Sequence, residues 1–254
     1  MCCRSIALPA GRLLLFRLDS RLVLALLFCP MPRKLPLRLS RFSSEQTILC
    51  TALAPAMQRI TDAINGGYLF AVQGQIPIQK AVPVIEKFQQ RYPGLSRDRK
   101  HAYRQHKAGK ARHKLVCFAN RSESQLLFVL FTDLPDDHER WASVTKRDSR
   151  VRLYEYEAVR ATKPGAGEVW TWQITPEDFE QGVEFMRTAI RRKQLPDLYH
   201  MIERTRTWPG FHRVRAQRQH LRKVITAEWL RTMPASNAPP PWPRLRYVSR
   251  LRTR

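Results

Sequence analysis

The chain has 254 residues, 45 of them basic and 21 acidic, for a formal net charge of +24. A 43 % hydrophobic content is enough to bury a sizeable core, which excludes wholesale disorder. So large an excess of one sign repels itself in a compact fold unless a polyanion screens it. The expected partners are therefore nucleic acid first, an anionic membrane second and an acidic protein third. Arginines outnumber lysines 34 to 11. A GC-rich genome produces that bias without selection, but it does not explain the missing acids.

Residues 1–56 differ from the rest of the chain: they are rich in leucine and arginine and carry only Asp19 and Glu45 as acids. The run Arg21 to Phe28 is too interrupted, by Arg17, Asp19 and Arg21, for a secretory signal or a membrane span. An arginine-rich, acid-poor transit segment fits better. A misplaced start, with Met57 as the true beginning, is the preferred reading, because Met57 opens a segment of ordinary globular composition. On either reading this stretch is expected to stand outside the fold.

From Met57 the elements come in order. Gly66-Gly67 breaks the chain before a short strand at Tyr68 to Val72, and Pro77 to Tyr92 has the periodicity of a helix, with Val82, Ile85 and Phe88 on one face. Ser96 offers a cap to a polar segment from Arg97 to Gly109. Lys114 to Ala119 and Gln125 to Thr132 are apolar strands joined by a loop at 120–124. Val151 to Arg160 and Glu168 to Ile174 form a second hairpin. Thr175-Pro176-Glu177-Asp178 is a strong helix start. Helices run to Lys193, from Asp197 to Thr207, and from about Phe211 to Met233. The expected class is α+β: a roughly four-stranded, largely antiparallel sheet followed by a C-terminal three-helix segment. Residues 234–254, proline-rich and then arginine-rich, read as a disordered tail. The first 56 residues carry +6 and the last 21 carry +5, which leaves +13 in the domain between them.

Two basic clusters carry the functional reading. Arg97, Arg99, Lys100, Arg104, Lys107, Lys110, Arg112 and Lys114 crowd one segment with only Asp98 among them, and Tyr103 adds a ring. Such crowding is unfavourable unless phosphates lie against it; the bland alternative is a solvated helix face. In the last helix Arg215, Arg218 and Arg222 share a face by three- and four-residue spacing, with Arg213 and Lys223 beside them. A basic third helix after a tight turn has the layout of a helix-turn-helix reader, though plain phosphate contact is the simpler expectation. Tyr154, Tyr156, Trp170 and Trp172 on the second hairpin are either core or a stacking platform for bases. Glu155, Glu157 and Gln173 on the opposite face favour core, with those three facing solvent.

Five cysteines include no C-x-x-C pair. Cys117, in an apolar run, reads as a buried structural thiol of a reducing compartment. Asp133, Asp136, Asp137, His138 and Glu139 form the one acidic patch, the basis of an alternative reading as a metal-dependent nuclease or strand-transfer enzyme. No phosphate-cradling glycine loop or dinucleotide fingerprint occurs. The expectation is a non-catalytic, cofactor-free, cytoplasmic nucleic-acid-binding protein, DNA favoured over RNA, of a bacterial plasmid or other mobile element. An RNA-binding or ribosome-associated organellar protein is a further alternative. Oligomeric state and sequence specificity are not legible, and no stretch resembles a known family.

Overall fold

The computed structural model describes residues 42–119, 124–163, 165 and 167–244, all within one unit of the chain. Residues 1–41, the loop at 120–123 and the arginine-rich end at 245–254 lie outside the described residues. The fold is mixed α+β.

Its first sheet orders five strands as β1 (Thr47–Cys50), β3 (His113–Phe118), β4 (Gln125–Thr132), β2 (Phe70–Pro77) and β5 (Ala142–Ser143). β1 runs parallel to β3, and the other pairs are antiparallel. β3 and β4 are apolar on both faces because both faces are covered. Val116, Phe118, Val129 and Phe131 point to one side, where α1 (Leu53–Asn65) supplies Met57, Ile60 and Ile64. Leu115, Cys117, Leu126 and Leu130 point to the other, where α2 (Ala81–Arg91) supplies Ile85 and Phe88. Gly67, at φ +89°, makes the turn from α1 into β2 that a side chain would strain.

The expectation that everything before Met57 stands outside the fold is corrected. Met57 is fully buried within α1, and the strand before it closes one edge of the sheet. The missed strand, Thr47–Cys50, is only four residues long. It is recognisable only through its parallel pairing with β3, a long-range contact that local pattern does not display.

The four strands expected in one sheet divide between two. β6 (Arg152–Leu153), β7 (Tyr156–Lys163) and β8 (Gly167–Ile174) form a separate antiparallel sheet. The expected strand from Val151 to Arg160 is in fact a tight hairpin, since Tyr154 takes φ 54° and turns the chain between β6 and β7. Trp172 locks this sheet to α1: it is fully buried, and its Nε1 donates to Met57 O at 3.0 Å and to Thr61 Oγ1 at 2.9 Å.

Three helices come after β8. α4 (Pro176–Arg191) starts on the Thr175 cap, whose Oγ1 accepts from Asp178 N. α5 (Leu195–Arg204) and α6 (His212–Thr232) complete the segment. Ile190, Leu198, Ile202, Leu221, Ile225 and Trp229 form their common core. The tail is not simply free after α6. Trp229 Nε1 donates to Asn237 O at 3.0 Å, Pro240 is buried, and Trp242 packs on the helical core, so residues 234–244 fold back along the helices. Proline stops the helix but does not prevent an extended segment from docking.

Candidate nucleic-acid interface

α3 (Arg99–Lys107) has no buried residue. It is fastened at its start, where the Asp98 carboxylate accepts from His101 N at 2.8 Å and Glu45 Oε2 accepts from Arg99 N at 2.5 Å. Both acids sit at the N-terminal, positive end of the helix dipole. The half-buried side chains His101, Ala102 and Gln105 face inward. Arg99, Lys100, Arg104 and Lys107 face solvent, as do Arg97 before the helix and Lys110 after it. None of these six forms an ion pair among the described residues. Tyr103 stands among them with its ring 66 % exposed, one helical turn from both Arg99 and Lys107. A stripe of such cations with one open ring on it is the residue set that phosphate and base contact use.

The remaining two members of the cluster belong elsewhere. Arg112 donates from Nε to Asp133 Oδ2 at 2.6 Å and from its backbone N to Asp133 Oδ1 at 2.8 Å, and it lies 4.8 Å over the Tyr68 ring. Lys114 is half-buried, 5.9 Å from the same ring. Burial chiefly lowers its pKa, and Asp62 opposes the shift. These two are corrected from candidate contacts to parts of the body.

Asp133, Asp136 and Glu139 of the acidic patch are engaged internally, while Asp137 is exposed. Burial would raise the Asp133 pKa, but the two Arg112 hydrogen bonds and its charge outweigh that and hold the carboxyl below 3.8. His106 Nδ1 also lies 3.5 Å from Asp133. Asp136 Oδ1 accepts from Trp141 Nε1 at 2.9 Å and from His138 N at 3.0 Å, and Glu139 pairs with Arg91 at 2.6 Å. Among the described residues no three His, Cys, Asp or Glu side chains converge as a metal site requires.

Behind α3 lies a cleft of about 460 Å³ whose walls include His101, His113, His138, Arg97, Tyr92 and Asp136. Tyr92 stacks on His113 with ring centroids 4.2 Å apart. Burial is the main cause of a lowered His113 pKa; Asp136 and Asp133 act against it. Sequence reading missed this cleft because its walls come from α2, α3, β3 and the loop after β4.

The second cluster divides. Arg213, Arg222 and Lys223 are exposed on α6. Arg218 is only 9 % exposed, and Arg215 is half-buried. The expected shared outward face is therefore corrected. α6 packs on α4 along one side and on β8 along another, and Arg218 turns inward to Thr205 and the Pro243 carbonyl. Gln217 binds the backbone of β8 like a further strand, accepting from Ile174 N and donating to Ile174 O, both at 2.8 Å. Tyr156 and Trp172 are core at 2 % and 0 % exposure. Glu157, expected in solvent, is buried and paired with Arg150 at 2.9 Å.

The chain matches no known protein family, no curated protein and no solved structure. Among the described residues no helix is long and apolar enough to cross a membrane. Buried Cys117 and Cys50 are free thiols. Burial pushes both pKa values up, to about 11 for Cys50 with Arg59 opposing, which makes them poor nucleophiles.

Proposed function

We propose that the protein binds nucleic acid through its phosphates, with α3 and its flanks as the principal contact. The observation that carries this reading is the set of six exposed cations, unpaired among the described residues, at Arg97, Arg99, Lys100, Arg104, Lys107 and Lys110. Glu139 and Asp133 pair with Arg91 and Arg112, and Glu45 and Asp98 accept from backbone N–H groups at the start of α3, so no acid pairs with a side chain of this stripe among the described residues. Repulsion along the helix is relieved when a line of phosphates lies against it. Arg213, Arg222 and Lys223 on α6 supply further positive surface. Base readout by α6 in the manner of a recognition helix is disfavoured, because two of its sides are packed and only part of its circumference is open.

The test is direct binding of the full chain to duplex DNA, single-stranded DNA and RNA of equal length, monitored by fluorescence anisotropy. Binding to one class, displaced by a polyanion and weakened by salt, supports the proposal and names the substrate. Absence of binding to all three at physiological salt assigns the charge to a protein or membrane partner instead.

A further inference from the structure

α6 and the folded-back tail enclose a groove of about 620 Å³ lined by Arg215, Arg218, Arg222, Arg244, His212 and Gln219. Four arginines line it, and no carboxylate among the described residues does. Arg218 is the instructive member. It is nine-tenths buried, and its partners are all neutral: Nε donates to Thr205 Oγ1 at 3.0 Å, a terminal nitrogen donates to the Pro243 carbonyl, and the guanidinium lies 5.7 Å from the Trp242 ring centroid. Neither Arg218, Arg222 nor Arg244 forms an ion pair among the described residues.

A buried charge is normally paired with its opposite, because removal from water is otherwise too unfavourable. Here burial, and then the neighbouring Arg222, work against the charged form. His212 Nδ1 adds a buried nitrogen with no hydrogen-bond partner among the described residues. Among the described residues, then, the Arg218 charge meets only neutral acceptors, and Arg222 and Arg244 have no carboxylate beside them in the groove. The tail is part of the arrangement: Trp242 and the Pro243 carbonyl hold it against Arg218, and this sets Arg244 at the groove.

We propose that this groove binds a dianionic phosphoryl group, a phosphate monoester, gripped by Arg222 and Arg244 beside the charge of buried Arg218. Guanidinium forks match phosphate oxygens two at a time, and a group of them suits two charges on one phosphorus better than the single charge of a backbone diester. The groove is concave and local, whereas the α3 stripe is extended. The division of labour comes from shape: α3 tracks a backbone, and the groove takes an end. Only the source of the phosphate rests on the nucleic-acid reading, which makes it the terminal phosphate of a strand; a free nucleotide or inorganic phosphate carries the same chemistry.

The experiment uses the full chain with four probes: inorganic phosphate, a nucleoside monophosphate, and one oligonucleotide with either a 5′-phosphate or a 5′-hydroxyl, the 3′-phosphorylated form serving as a further arm. A phosphorylated end is expected to bind about tenfold tighter than the hydroxyl end. In Arg222→Gln combined with Arg244→Gln the ratio between the two falls to about one. These exposed positions are chosen because Arg218→Gln is liable to unfold the helical segment. If no oligonucleotide binds but phosphate or the nucleotide raises the melting temperature, and the double variant abolishes the rise, the groove stands and the nucleic-acid reading fails. If oligonucleotides bind equally whatever their ends, and neither small probe shifts the melting temperature, the groove proposal is overturned while the nucleic-acid reading survives.

Discussion

Arg112 and Asp133 face each other with Nε and Oδ2 2.6 Å apart, both side chains largely withdrawn from solvent. One comes from the basic cluster and the other from the acidic patch, the two features that stand out most in the sequence. Their pairing ties the chain leaving α3 to the end of β4, and it takes both residues out of the proposed contact surface. Arg112→Met is therefore expected to destabilise the fold by about 3 kcal/mol, since it leaves a half-buried carboxylate without its partner. Thermal or urea denaturation measures this. Binding of nucleic acid by the folded fraction should keep its salt dependence; a marked loss of that dependence would return Arg112 to the contact surface.

Burial of His113 and the Arg112–Asp133 clasp together set a pH response. His113 has a folded pKa below its ordinary 6.5, so the unfolded chain takes up that proton first as pH falls. Stability contributed by neutral His113 is complete above pH 6.5 and is lost as pH drops from there through the lowered folded value. Asp133 adds a second loss on acidification below 3.8, because its folded pKa is also depressed. Melting temperature should accordingly fall between neutral and mildly acid pH. In His113→Phe the upper part of that fall should disappear, and an unchanged profile would remove His113 from the explanation.

Gly74 and Phe128 are direct cross-strand neighbours on β2 and β4, and a Cβ on Gly74 would come within 2.8 Å of the Phe128 ring. Phe128 is itself held by Phe88 at a centroid distance of 5.4 Å. Gly74→Ala should destabilise by roughly 1–3 kcal/mol through this overpacking. Equilibrium denaturation would show it, and a neutral or stabilised variant would mean the ring swings aside freely.

The sequence displays what is local. The Thr175-Pro176 helix start, the two apolar strands β3 and β4, and the burial of Cys117 come from capping chemistry and hydrophobic runs. What it hides depends on distant segments meeting. β1 is a strand only beside β3, Glu157 is buried only because Arg150, Arg152 and Gln173 converge on it, and Arg218 turns inward only because Thr205 and Pro243 receive it. Helical spacing places Arg215, Arg218 and Arg222 together correctly, but spacing does not say which side of the helix the rest of the chain covers. Trp242, an aromatic among prolines, is the one local hint that the tail docks.

The edge strand gives a further prediction. A fragment beginning at Met57 lacks β1 and the first turn of α1, leaving the apolar β3 edge open. It should aggregate or lose cooperative unfolding, unlike the full chain. Light scattering with circular dichroism separates the two. A well-folded fragment from Met57 would show that β1 is dispensable.

The central claim, phosphate contact by the α3 stripe, is tested most directly by the salt dependence of binding. Affinity for nucleic acid is measured at several salt concentrations for the full chain and for Arg99→Ala, Lys100→Ala, Arg104→Ala and Lys107→Ala combined. Because each neutralised duplex phosphate contributes about −0.9 to the slope of log affinity against log salt, the variant should be shallower by roughly 3 to 4. Its melting temperature should not fall, since none of the four side chains is buried or ion-paired among the described residues and their removal relieves like-charge repulsion. An unchanged slope in a folded variant would contradict the account.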